Sequence, residues 1–90
     1  CVWCARWNAE VGGAYGRTAE GKRAPLRRVD VAGARPADLA AIGAVAYTPT
    51  FVLFDDGREI GRIEGYSDDA FFYGYLARLL DKLKAAPGRR

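Results

Sequence analysis

The sequence predicts an α/β domain, and three stretches carry that reading. Phe72, Tyr75, Leu76, Leu79, Leu80 and Leu83 recur at three- and four-residue spacing, the period of a helix that buries one face. Thr50-Phe51-Val52-Leu53-Phe54, then Asp55-Asp56-Gly57, then Arg58 to Glu64 reads as two antiparallel strands joined by an Asp-Gly turn. The third stretch opens the chain: Cys1-Val2-Trp3-Cys4 leads into the helix-compatible run Ala5 to Val11 and contains the only two cysteines.

Ninety residues fit one domain with a core large enough to fold without metals or many disulfides. Half the residues are hydrophobic, yet no apolar run approaches the roughly 18 residues of a membrane span. Fourteen basic residues against 11 acidic ones give a net charge of +3. The basic residues fall in short pairs, Lys22-Arg23, Arg27-Arg28 and Arg89-Arg90, without the aromatic interleaving of a nucleic-acid surface. They read as solvated faces. With Cys1 as the first residue, any targeting signal lies outside this sequence.

In order, a first helix is expected from about Val2 to Tyr15, with Ala5, Asn8, Val11 and Tyr15 on one stripe and Gly12-Gly13 and Gly16 weakening its end. Thr18 caps one short turn, and Pro25 stops it. Leu26 to Val31 has the β-branched content and alternation of a strand. Pro36 suits the first position of a short helix that ends at Gly43. The strand Thr50 to Phe54 is apolar on both faces and so is expected to be central, with Arg58 to Glu64 at the edge. Ser67 or Asp68 caps the terminal helix, and residues 87–90 form a polar tail after one domain over 1–86. Trp7, Phe72 and Tyr75 read as core or core-edge aromatics, and the pairs Asp55-Asp56 and Asp68-Asp69 as turn and capping residues.

Two cysteines separated by two residues at a helix start form the pattern of a thiol-disulfide redox site, because unpaired backbone N–H groups and the helix dipole favour a thiolate there. The pair also admits a structural disulfide, a metal site or unreactive buried thiols. Zinc needs about four ligands, so with two thiols and no histidine a metal would require a second chain. Haem attachment needs histidine where Ala5 stands. A bridge across so short a loop removes little unfolded-state entropy and would be a poor staple.

The order of cysteine-headed helix, strand, helix, Thr48-Pro49-Thr50-Phe51 junction, hairpin from Phe54-Asp55-Asp56-Gly57-Arg58 to Glu64-Gly65-Tyr66 and final helix resembles the thioredoxin fold from its first active-site cysteine onward. Within that family it looks most like the small periplasmic thioredoxin-like proteins that accompany bacterial sulfur-oxidation systems. The resemblance implies a mixed sheet with flanking helices that lacks the strand before the cysteine helix, an interior strand between Leu26–Val31 and Thr50–Phe54. The domain is accordingly expected to be incomplete at its N-terminus. Val2-Trp3 stand where thioredoxins proper carry Gly-Pro, and Thr48 where many have an aliphatic residue. The buried acid that many relatives carry on the absent strand is absent with it.

By the same resemblance, Cys1 is the nucleophile and Cys4 the resolving cysteine of a thiol-disulfide oxidoreductase that reduces partner proteins. Pro49 is expected to be cis and to lie against the cysteines, leaving the backbone of Thr48 free for an extended substrate peptide. Gly65 is expected beside the site, and Trp3 to offer partners an apolar surface. No metal or organic cofactor is required. The implied partners are disulfide-bearing proteins and an upstream electron donor, with no nucleic acid and no membrane span, and the implied state is a monomer in the periplasm, the cytoplasm being the alternative. The rival reading is a non-catalytic peptide-binding or chaperone module on the same scaffold. A glutathione-dependent enzyme is a lesser one, since no glutathione signature stands beside the fold.

Overall fold

The computed structural model describes residues 1–85, so the expected polar tail over 87–90 lies outside the described residues. The cysteine-headed helix is α1 (Val2–Trp7), one π-helical turn over Asn8–Gly12, and α2 (Gly13–Tyr15), following one another without a break. Its buried stripe is Trp7, Val11 and Tyr15. Ala5 and Asn8, which the sequence places on that stripe, are exposed. Residues four apart drift by about 40° around a helix of 3.6 residues per turn. The wider π turn takes part of that drift back, so all three large side chains face the core.

Thr18 caps α3 (Ala19–Arg23) as expected, its Oγ1 accepting the Gly21 amide at 2.9 Å. The hydroxyl of Tyr15 donates to the Ala24 carbonyl at 2.7 Å and ties the end of α3 to the first helix. Beyond Pro25 the expectation of a strand fails: residues 26–30 form no regular element, Val31 enters a turn, and Leu26, Val29 and Val31 are exposed. β-propensity describes how a side chain fits a paired, half-buried surface, and among the described residues no strand pairs with this segment to supply one. The expected helix from Pro36 to Gly43 shortens to one 3₁₀ turn over Ala37–Leu39. Pro36 stands before it in an extended conformation, as its cap, and Leu39 is its buried anchor. Asp38 leaves this turn to pair with Arg27 across the bend.

The hairpin is present, with strand β1 (Thr50–Asp55) antiparallel to β2 (Arg58–Glu64), Thr50 opposite Glu64 and Asp55 opposite Arg58. Asp56 and Gly57 both take positive φ, 51° and 77°, giving the primed turn whose twist matches the strands. The register shifts between Leu53 and Phe54. Among the described residues β1 has one partner, so it is not the central strand its two-faced apolar pattern predicts. Its other edge faces the 25–31 segment across a groove.

Asp68 caps α4 (Asp69–Ala85) by accepting the Phe71 amide at 2.8 Å. Phe72, Leu76, Leu79 and Leu80 are buried, whereas Tyr75 lies at the margin of that stripe and is exposed beside Phe71, with the Arg78 guanidinium over its ring. The core closes on three rings from three elements: Trp7 of α1, Phe51 of β1 and Phe72 of α4, with centroids 4.8 to 5.6 Å apart. Among the described residues no helix is long and apolar enough to cross a membrane.

On the hairpin, Arg62 donates to both carboxylate oxygens of Glu59, at 2.6 and 2.9 Å, and the Gly43 amide adds a third donor at 3.0 Å. The Arg62 hydrogen bond is the largest cause holding the Glu59 carboxyl at about 2, against an ordinary value of 4.5. A pKa depressed on folding contributes stability that is complete above about 4.5 and is lost as pH falls toward 2. Glu59→Gln is therefore expected to lower the melting temperature by a few degrees at neutral pH and to match the parent near pH 2, as read by thermal denaturation across that range.

Candidate active site

Cys1 precedes α1 and Cys4 lies one turn in, and the two are joined as a disulfide with Cα atoms 5.2 Å apart. Cys1 is exposed and Cys4 half-buried. Cys1 occupies the cap position, and its Sγ accepts the Cys4 amide at 3.1 Å. That hydrogen bond falls on the atom that would carry the charge of a Cys1 thiolate, and it stabilises the charged form.

The Thr48–Pro49 peptide bond is cis, and both residues line the same groove as Cys1 and Cys4. The Gly65 amide donates to the Pro49 carbonyl at 2.8 Å, which fixes the junction to the end of β2. Gly65 takes a φ of 91°, and this conformation is what requires glycine there. A Cβ at this position would meet nothing within 4 Å, so the space over Gly65 is open. Trp3 is 46% exposed on the outer side of α1. The structure thus brings Cys1, Cys4, Thr48 and Pro49 to one groove and attaches Gly65 to it through Pro49, whereas Trp3 and Gly65 do not themselves line it.

A set of polar residues beside the cysteines is absent from the sequence reading. The Arg6 guanidinium lies 5.0 Å from the centre of the Trp3 ring. Its Nε and Nη2 donate to Glu10 Oε2 at 3.3 and 3.1 Å, and the other oxygen of Glu10 accepts the Tyr66 hydroxyl at 2.5 Å. The Tyr66 and Arg6 hydrogen bonds, in that order, hold the Glu10 carboxyl below the ordinary carboxylate range. Desolvation first and the Glu10 hydrogen bond second push the Tyr66 phenol up to about 12, so it stays a donor across physiological pH. Arg6 and Glu10 are four apart on a helix, a legible pairing signal. Tyr66 lies 56 residues from Glu10, and nothing local announces that contact.

A scan against protein-family models gives no match, and a search of curated proteins gives none either. Among solved structures the chain is similar to the periplasmic thioredoxin SoxS from Paracoccus pantotrophus in its reduced form. The two are 43% identical over 91% of this chain and 86% of that one, with a TM-score of 0.86.

The exposure of Cys1 and the amide on its sulfur are expected to make the two thiols differ in reactivity once the disulfide is reduced. Cys1 is expected to react with an alkylating agent well before Cys4, with the difference widest at mildly acidic pH, where only a stabilised thiolate remains ionised. Mass-spectrometric mapping of the modified cysteine against time and pH checks this, and equal rates at both positions would overturn the assignment of roles.

Proposed function

The chain belongs to the thioredoxin-like family of thiol-disulfide oxidoreductases, and from that premise we propose that it reduces disulfides of partner proteins through a Cys1/Cys4 dithiol cycle in the periplasm. The observation that carries this reading is the exposed Cys1 sulfur accepting the Cys4 amide, with the Thr48–Pro49 backbone lining the same groove.

In the proposed cycle the Cys1 thiolate attacks one sulfur of the partner disulfide. A Cys1–partner disulfide forms, and the other partner sulfur leaves as a thiolate and takes up a proton. Cys4 then loses its proton to solvent and attacks Cys1 Sγ, releasing the second partner thiol and closing the Cys1–Cys4 disulfide. Two electrons pass to the partner, and a dithiol donor must return them for the next turnover. Backbone groups of Thr48 pair with the substrate segment next to its disulfide, the open space over Gly65 admits it, and the exposed face of Trp3 receives its apolar side chains.

Periplasmic placement follows the similar protein, which is a periplasmic thioredoxin. Insulin reduction with dithiothreitol as donor tests the activity. Cys1→Ser is expected to abolish it, and Cys4→Ser is expected to accumulate a mixed disulfide that survives non-reducing electrophoresis. A double variant that lacks both sulfurs yet protects unfolded partners as well as the parent would instead favour a binding module.

We further propose that the sheet takes one more strand in the groove between β1 and residues 25–31. At about 1110 Å³ the groove exceeds the roughly 300–1,000 Å³ of a small-molecule site. One wall is the edge of Thr50 to Phe54 away from β2, which among the described residues pairs with no second strand. The indole Nε1 of Trp7, a residue on the groove wall, is buried and has no acceptor among the described residues. A strand there supplies carbonyls and amides to β1 and apolar cover to Leu26 and Val29, where each unmet buried group costs about 1–3 kcal/mol. Comparing the chain with and without a native extension upstream of Cys1 is the test. The extension is expected to raise the melting temperature and to slow hydrogen exchange at the Phe51 to Phe54 amides, and unchanged exchange would remove the proposal.

A further inference from the structure

Trp3 would be a poor recognition element if its ring were loose, since ordering an exposed aromatic on binding opposes affinity. It is not loose. The Arg6 guanidinium sits 5.0 Å from its ring centre, Glu10 holds that guanidinium through two nitrogens, and Tyr66 holds Glu10. Tyr66 is 6% exposed and part of the hydrophobic core, so the chain of contacts ends on a fixed anchor. The residue before it, Gly65, donates its amide to Pro49. One continuous path therefore runs from the Trp3 ring through Arg6, Glu10 and Tyr66 to the Thr48–Pro49 junction.

We propose that Arg6, Glu10 and Tyr66 are positioning residues that fix Trp3 relative to the Thr48–Pro49 junction and so favour extended protein substrates over small disulfides. The proposal rests on the docking roles given above to Trp3 and Thr48. Its chemistry is separable from stability: the Arg6 and Glu10 side chains are 43% and 38% exposed, and such a pair contributes little to folding. Its removal leaves the scaffold and releases the ring. A small disulfide reaches Cys1 without touching Trp3 and is indifferent to the ring's orientation, whereas a protein segment must cover it.

The test is steady-state kinetics of the parent, Arg6→Met, Glu10→Gln, Trp3→Ala and the double variant Trp3→Ala/Arg6→Met, with insulin and with the small disulfide 5,5′-dithiobis(2-nitrobenzoate). Arg6→Met and Glu10→Gln are expected to raise KM for insulin roughly two- to fivefold, the loss of one exposed cation–π contact, with kcat and the rate on the small disulfide unchanged. In the Trp3→Ala background Arg6→Met is expected to add nothing, because its effect acts through the ring. An equal Arg6→Met effect with and without Trp3 overturns the relay and leaves the docking reading standing. No KM change in Trp3→Ala overturns the docking reading itself, and the relay with it. Parallel losses on both substrates in Arg6→Met make the role structural and likewise overturn it, and a parent inactive on both removes the function on which it rests. Tyr66→Phe, which keeps the buried ring and removes only the hydroxyl, gives a second check with the same expected direction.

Discussion

The packing of Trp7, Phe51 and Phe72 is the interaction on which the rest of the molecule depends. Each ring comes from a different element, and their mutual contacts fix the cysteine helix to the hairpin and both to α4. Aromatic pairs at these separations contribute about 0.5–1.5 kcal/mol each beyond the area they bury, and tilted or edge-on contacts tolerate little sliding. Phe51 is the residue after Thr50 and two after Pro49, so the rings that hold the core together also hold the junction that lines the groove with the cysteines. In a chain of this size the core and the site share their supports.

Electrostatics at the sulfurs is supplied by backbone. The sequence has no histidine, and the hydrogen bond to Cys1 Sγ comes from the Cys4 amide, an uncharged donor. Charged groups stand one layer out, in the Arg6–Glu10–Tyr66 set, where they act on side-chain position. This division suits a centre that changes oxidation state, since a fixed dipole serves the thiolate and a neutral disulfide beside it asks for no counter-charge.

Much of this was legible in the sequence, and the exceptions share a cause. Asp56-Gly57 gave the turn, Thr18 and Asp68 the caps, and the Leu76, Leu79, Leu80 spacing the terminal helix, because each of those signals is satisfied within a few residues. The expected strand at Leu26 to Val31 failed because a strand is a property of two segments, and the second is not beside it. The buried stripe of the first helix was misplaced by one π turn, which no residue type announces. At the candidate site, a motif singles out the cysteines and Thr48-Pro49, which line one groove, whereas Tyr66 joins Glu10 through a contact that only folding creates. What stayed hidden was long-range or depended on a neighbour.

The edge of Thr50 to Phe54 that no second strand covers among the described residues also bears on how copies of this chain meet. Thr50-Phe51-Val52-Leu53-Phe54 is an uncharged, aromatic and β-branched run without an interior proline, the composition of segments that stack into cross-β assemblies. Natural sheets guard such an edge with inward charges, prolines or bulges. Here the guards are Pro49 just before the run and Asp55 at its end, leaving the tract between them. A strand in the groove would therefore have a second consequence besides cohesion: it would withdraw this tract from intermolecular pairing and raise the concentration at which the protein stays dispersed.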